Sequence, residues 1–342
     1  MQTFREIDIV GNAHERGVSH GEQLRGEIAA ALSFYRDIFK LPETTVREQA
    51  TYFQRIIADF NPDYAAEING IAEGAAQDPL SIVALNARTE ILGLNKQTPS
   101  NECTSLCFSG TPILGQTWDW GEPLESLCAV VRIKREDGHV IRMMTEPGII
   151  GKIGMNSAGL GVCLNILTLG GKLDGVPIHV MLRAILDCAS VDEAAAVIDR
   201  APTGKSSNVI VADRTGACFD REFAGEETLT PDTFNGNLIH TNHYLGKAIN
   251  DDDDPLFENS RTRMSTATQK VAATTDHTIE AMADILSDRS GGAFPIYRPY
   301  VPDESVKDVG TVATIIMDLS AQEMHVRKGN GADNPFTVYT AV

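Results

Sequence analysis

Residues 102–120, Glu-Cys-Thr-Ser-Leu-Cys-Phe-Ser-Gly-Thr-Pro-Ile-Leu-Gly-Gln-Thr-Trp-Asp-Trp, decide the fold. Cys103 to Phe108 alternates, Ser109 to Pro112 supplies turn residues, and Ile113 to Trp120 alternates again, so the stretch predicts a β-hairpin. The first hundred residues, by contrast, read as mostly helical. From Glu15 to Phe39 the positions Leu24, Ile28, Leu32, Tyr35 and Phe39 recur every three or four residues, which predicts a helix. Gly17 and Gly21 let that helix lie close to a neighbour. Further helices are expected over 45–60, 64–76 and 80–94, and the polar Lys96–Asn101 segment with Pro99 reads as an exposed connector. Downstream, strands are expected at 129–134, 140–145, 149–155, 161–167, 208–213, 217–223, 238–240, 311–318, 323–327 and 336–341. Helices are expected at 177–189, 191–199, 260–272 and 278–287. Helices, then strands, then helices and strands again predict an α+β fold rather than a βαβ parallel one. The architecture that fits is two sheets face to face with helices on both outer faces.

At 342 residues the chain accommodates one large two-sheet unit or two small domains. A net charge of −18 repels nucleic acid and anionic lipid, so neither is an expected partner. No apolar run is long enough to cross a bilayer, and the opening MQTFREIDIVG lacks the cationic leader and apolar core of a signal peptide. The six cysteines, 103, 107, 128, 163, 188 and 218, form no CxxC pair and read as reduced thiols of a cytoplasmic protein.

Several motifs fail on spacing. Ala201–Ser207 resembles a phosphate loop, but Asp199 stands where its first Gly is required. Gly148 to Gly161 lacks the dinucleotide-binding pattern, and no GxSxG elbow is present. His240 and His243 lack further flanking ligands, and Asp251–Asp254 lacks the alternation of a calcium loop, so no metal and no cofactor are expected. What survives is Cys103, Asp119 and Asn242. A thiol attacking an amide needs a base, an oriented geometry and an oxyanion donor. Cys103 begins a strand just after an exposed connector. Cutting there would free an α-amine with an ordinary pKa of about 7.7–8.0 to serve as the base. The hairpin returns Asp119 toward the start of the Cys103 strand, where it can orient the amine, and Asn242 offers an amide NH2.

The block ECTSLCFSGTPILGQTWDW resembles the processing site of the acyl-coenzyme A:6-aminopenicillanic acid acyltransferase family, also called the isopenicillin N acyltransferase family. The likeness continues through GIIGKIGMNSAGLGVCLNIL, GVPIHVMLRAIL and HTNHYL, and upstream through ERGVSHGEQL, EINGIAEGA and IVALNARTEI, nearly the whole chain. It implies the four-layer αββα sandwich of N-terminal-nucleophile hydrolases. It also implies Cys103 as nucleophile, Asp119 as orienting acid, Asn242 on the oxyanion side, and self-cleavage between Glu102 and Cys103 with help from Ser105. Residues 1–102 and 103–342 would then be two fragments of one unit that stay associated; assembly of whole copies into a homo-oligomer is left open.

Two departures stand out. Glu102 replaces the Gly of the penicillin enzyme, and the Ser-Arg pair before that enzyme's late strand is absent, with Lys307 nearest. The expected activity is therefore hydrolysis of small N-acyl or aminoacyl amides through an acyl-Cys103 intermediate. Acyl transfer from a CoA thioester or an amide to an amine is the alternative. A non-catalytic binding protein on the same scaffold is the third reading, and the co-occurrence of Cys103, Asp119 and Asn242 argues against it.

Overall fold

The structure, a computed structural model, describes all residues except 1–2, 95–102, 169–173, 202, 226, 247–256, 304–305, 332–333 and 342. Glu102, the Lys96–Asn101 connector and the Asp251–Asp254 run therefore lie outside the described residues.

Two sheets form the centre. The first has eight strands in the order β1-β4-β5-β6-β7-β8-β9-β10. These are Arg5–Val10, Ala129–Lys134, Val140–Thr145, Ile153–Asn156, Leu160–Ile166, Ser207–Asp213, Cys218–Ala224 and Glu227–Leu229. The second has seven, in the order β11-β2-β3-β13-β14-β15 with β12 paired to β13. Its strands are Leu238–His240, Cys103–Cys107, Ile113–Gly121, Lys307–Asp318, Glu323–Lys328 and Phe336–Thr340, with β12 at Val301–Asp303.

Residues 103–121 form the expected hairpin, β2 and β3, in a register that sets Cys103 opposite Trp118 and Ser105 opposite Gln116. Its alternation sorts residues between two cores. Cys103, Cys107, Leu114 and Trp118 belong to the large core shared by both sheets. Leu106, Phe108 and Ile113 belong to a smaller one on the opposite face, beneath α10 (Glu258–Ala273) and α11 (Ile279–Leu286). On the outer side of the eight-stranded sheet, α8 (Ile178–Leu186) and α9 (Val191–Arg200) pack on β6, β7 and β8. The layer order is αββα, as expected.

The N-terminal helices are α1 (Ala13–Gln23), α2 (Arg25–Phe39), α3 (Glu43–Phe60), α4 (Pro62–Ala75), α5 (Pro79–Asn86) and α6 (Arg88–Leu92), with a short α7 (Pro123–Leu127) following β3. The helix expected from Glu15 to Phe39 is two helices, broken at Leu24 (φ −115°, ψ 25°). The break lets α1 lie against α4. A Cβ on Gly17, Gly21, Gly70 or Gly74 would come under 3.0 Å from the facing backbone, so these glycines allow the two helices to touch. The helix expected over 80–94 also breaks, at Ala87, and this puts Arg88 at the start of α6. Two expectations were incomplete. Arg5–Val10 is a strand, not part of a helical region, because Ile7 and Ile9 alternate inward and β4 supplies a parallel partner. The strand expected from Ile149 begins only at Ile153, because Gly148 turns the chain at φ +86° and Gly151 lies against α8.

Candidate active site

Cys103 is buried, and its backbone is gripped at both polar atoms. Its N–H donates to Asn242 Oδ1 at 2.9 Å, across 139 residues of sequence. Its carbonyl accepts from Asn165 Nδ2 at 3.1 Å and from Arg263 Nη1. Arg263 reaches down from α10, donating also to Asn242 Oδ1 at 2.9 Å and Thr104 Oγ1 at 3.0 Å. The orientation of the Asn242 amide follows from these partners. Two donors demand its oxygen, while the Ile166 carbonyl on β7 takes Nδ2 at 2.9 Å. Gln116 crosses between the sheets in the same way, donating to Leu164 O at 2.6 Å and accepting from Leu164 N at 2.9 Å. One short segment, Leu164 to Ile166, is thus tied by side chains of the facing sheet to the strand that begins at Cys103.

The expected residues do not all meet in the expected way. Asn242 touches Cys103 directly, but through its oxygen; its NH2 group, read from sequence as an oxyanion donor, faces Ile166. Asp119 lies one step beyond Trp118, the register partner of Cys103, and opposite Thr311 of β13, within the electrostatic reach of Arg263 on α10. Its Oδ1 accepts from Thr311 Oγ1 at 2.7 Å, and its buried Oδ2 has no partner among the described residues. Burial pushes its carboxyl up to about 6, with Arg263, Thr311 and Arg298 pulling the other way. Ser105 is fully buried opposite Gln116, and its hydroxyl has no partner among the described residues. Asn165 and Arg263 were missed by sequence reasoning. Asn165 does stand out as a polar residue within an apolar strand, whereas nothing local marks Arg263 among the polar residues of its helix.

Cys103, Gln116, Trp118, Leu164 and Ile166 line a narrow cavity between the sheets, about 10 Å³, the room of a single water molecule. Its remaining wall contains Ile153 and two cations, Arg88 and Lys152. Both cations bond the buried Glu146, Arg88 Nη2 at 2.6 Å, and Tyr35 donates to the same carboxylate. Burial alone would raise the Glu146 carboxyl, but Arg88 and Lys152 hold it well below the usual range. The other thiols compete poorly as nucleophiles. Burial pushes up Cys128, Cys163 and Cys188, and Cys107 is raised first by its hydrogen bond to Cys218 and then by burial. Cys218 is the exception, lowered to about 7 by the Cys107 thiol, yet it sits partly exposed on β9.

The HTNH segment is held from beneath. His240 Nε2 faces Glu222 Oε1 at 2.8 Å and Nδ1 faces the Thr241 carbonyl at 2.8 Å. Two acceptors call for both ring N–H groups, hence an imidazolium. Burial lowers its pKa, but Asp220 and Glu222 outweigh burial and raise it above 6.5. A folded-state pKa above the unfolded one stabilises fully below about pH 6.5, and the contribution disappears as pH rises through the folded value. His240→Gln is therefore expected to cost about 3 kcal/mol near pH 6, the scale of breaking a buried pair, and clearly less near pH 10. Denaturant melts of both proteins at the two pH values check this; an equal loss at both would show that His240 is not held as a cation. No group of residues able to hold a metal ion occurs among the described residues, and no helix among them is long and apolar enough to cross a membrane.

The chain is similar to known enzymes along its length. It is 30% identical over 351 aligned positions to the acyl-coenzyme A:6-aminopenicillanic-acid-acyltransferase 40 kDa form of Emericella nidulans, covering 97% of this chain and 95% of that protein. Among solved structures it is similar to a Caenorhabditis elegans N-acylethanolamine-hydrolyzing acid amidase ortholog, at 19% identity and TM-score 0.46, over 64% of this chain and 93% of that one. It is also similar to a mutant conjugated bile acid hydrolase from Clostridium perfringens, at 14% identity and TM-score 0.49, over 70% and 92% of the two chains. The family model described as acyl-coenzyme A:6-aminopenicillanic acid acyl-transferase matches residues 108–333. With αββα layers and a strand-initial cysteine between the sheets, and with this family's likeness running through both, the chain is an enzyme that belongs to the acyl-coenzyme A:6-aminopenicillanic acid acyl-transferase family.

Proposed function

We propose that this enzyme is an amidohydrolase activated by its own cleavage before Cys103, acting on small N-acyl or aminoacyl amides through an acyl-Cys103 intermediate. The observation that carries the reading is the position of Cys103. It stands at the first residue of a central strand, its N–H held by Asn242, and lines a cavity between the two sheets. In this reading residues 1–102 and 103–342 are the two fragments of one αββα unit, and the freed α-amine of Cys103 occupies the place of the present N–H. That amine takes the thiol proton as sulfur attacks the amide carbonyl, and returns it to the leaving amine. Asn242 Oδ1 then orients the amine, and the role proposed for Asp119, whose Oδ2 has no partner among the described residues, is to favour its charged form. For Asn242 also to serve the oxyanion, its Nδ2 must turn an N–H toward the substrate.

Acyl transfer to an amine is the second reading, favoured by the Emericella relative, which is named as an acyltransferase. Both share the acyl-Cys103 intermediate and differ in what attacks it. A transferase must hold its acceptor and exclude water. Lys307, nearest to the missing Ser-Arg pair, is an exposed residue at the start of β13 and lacks the two-point grip of Arg. Hydrolysis is accordingly expected to outrun transfer. Partition of the acyl-enzyme between free acid and new amide, at rising concentrations of candidate amines, checks this. Capture of most of the acyl group at micromolar amine would make the enzyme a transferase, and acid release that persists in Cys103→Ala would remove Cys103 from both readings.

A further inference from the structure

In-register neighbours on adjacent strands share one face of a sheet. In the eight-stranded sheet, Asn165, Asn208 and Glu222 therefore form one row on the inner face, and Gly161, Ala212 and Cys218 form another. The first row meets the facing sheet at two points. Asn165 Nδ2 donates to the Cys103 carbonyl at 3.1 Å, and His240 Nε2 donates to Glu222 Oε1 at 2.8 Å. Cys107 lies four residues along β2 from Cys103, and Gly161 lies four residues along β7 from Asn165. Stacked sheets keep their strands roughly aligned, so the same step in each brings Cys107 over the row of Cys218. Two contacts agree with this. A Cβ on Gly161 would lie 3.4 Å from Leu114, the register partner of Cys107. Cys218 packs against the core cluster that contains Cys107, and the two thiols share a hydrogen bond.

We infer that Cys107 and Cys218 are an oxidative modification site, a thiol pair that closes a disulfide between the two sheets when a small peroxide reaches Cys218. The two thiols are suited to different steps. Cys218 is partly exposed and meets the oxidant, whereas Cys107 is buried and waits behind it. The Cys107 thiol also lowers Cys218 to about 7, against burial, Asp213 and Asp220, which supplies thiolate near neutral pH. The Cys218 thiolate attacks one oxygen of hydrogen peroxide. The S–O bond forms as the O–O bond breaks, and hydroxide leaves as water with the proton the thiol gave up. Cys107 then attacks the sulfur of this sulfenic acid. The S–S bond forms, the S–O bond breaks, and the second hydroxide leaves as water with the Cys107 proton. Two thiols thus give two electrons to one peroxide, which ends as two waters. The bridge closes a loop of 111 residues (218 − 107 = 111) and fastens β2, the strand that begins at Cys103, to β9. This chemistry needs neither self-cleavage nor an acyl-enzyme.

The test gives folded, fully reduced wild-type protein a single equivalent of hydrogen peroxide. The remaining thiols are then alkylated in denaturant, and the disulfides are mapped by peptide mass. A linked peptide joining Cys107 to Cys218 is expected. Titratable thiols are expected to fall from six to four (6 − 2 = 4) and to return to six with dithiothreitol. Cys218→Ser removes the thiol that meets the oxidant, at a partly exposed position, and is expected to form no bridge under the same treatment. Cys107→Ala is expected to leave Cys218 as a sulfenic acid that dimedone captures. A bridge between any other pair overturns the assignment. So does a Cys218 that goes on to sulfinic acid unbridged, or oxidation of Cys103 while Cys107 and Cys218 stay reduced. Should Cys107→Ala fail to fold, the wild-type map and Cys218→Ser decide.

Discussion

Purified wild-type protein is expected to give two masses, fragments of 102 and 240 residues (342 − 102 = 240), while Cys103→Ala runs at full-chain mass and is inactive. In the uncut chain the nitrogen of Cys103 is an amide, which cannot accept a proton; only cleavage turns it into a base with a pKa of about 7.7–8.0. The thiol and the hydroxyl of Ser105 lie two residues apart on one face of β2. The hydroxyl has no partner among the described residues, so it can assist the attack on the carbonyl of residue 102. Ser105→Ala is expected to slow processing without stopping activity in the molecules that are cut. Glu102 sets a bulky carboxylate at the scissile bond, so Glu102→Gly is expected to hasten the cut. Intact-mass measurement over time reads all four proteins. An active wild-type enzyme at full-chain mass would refute the scheme, because Cys103 would then lack its base.

Asn242→Ala is expected to lower turnover by about 100-fold or more once processed, the usual cost of losing one polar group that positions or stabilises the reacting atoms. The loss has two physical parts. Asn242 Oδ1 receives both the Cys103 N–H and Arg263, so alanine releases the nucleophile strand and leaves a buried guanidinium short of an acceptor. Asn242 Nδ2 also ties the loop after β11 to Ile166 on the facing sheet. Stability is expected to drop by about 1–3 kcal/mol, the cost of an unsatisfied buried donor. Kinetics must therefore be taken on protein whose mass shows it is cut and whose melting shows it is folded. Turnover within a few-fold of wild type under those conditions would leave Asn242 as a loop anchor only.

Much of the fold was legible because it rests on local periodicity. The hairpin of β2 and β3, the strands Ala129–Lys134, Val140–Thr145 and Leu238–His240, and the helices α8 to α11 all follow from alternation or from apolar positions three to four apart. Where the reading fell short, the deciding partner is distant. Arg5–Val10 stands alone ahead of a run of helices and finds its strand partner only in β4, more than a hundred residues on. The break at Leu24 has no Pro or Gly at that residue, and follows from α1 having to meet α4 along their glycines.

The candidate site divides along the same line. By itself the sequence determined which residue types were available for chemistry: a cysteine opening a strand after a polar connector, a WDW strand end and an HTNH segment, in an order that resembles one enzyme family. It also determined the alternation that sends Cys103 and Cys107 to the large core and Leu106 and Phe108 to the smaller one. Only the tertiary structure decided which partners those residues meet. The hydrogen bonds to Cys103 come from Asn165, Asn242 and Arg263, which lie 62, 139 and 160 residues away. It likewise turned the Asn242 oxygen, rather than its NH2, toward Cys103, and set Arg88 and Lys152 in one cavity wall. Side-chain periodicity is a property of neighbouring residues and survives in the bare sequence. Hydrogen-bond partners and shared charges arise where segments meet, and those meetings are fixed by how two sheets and their helices pack.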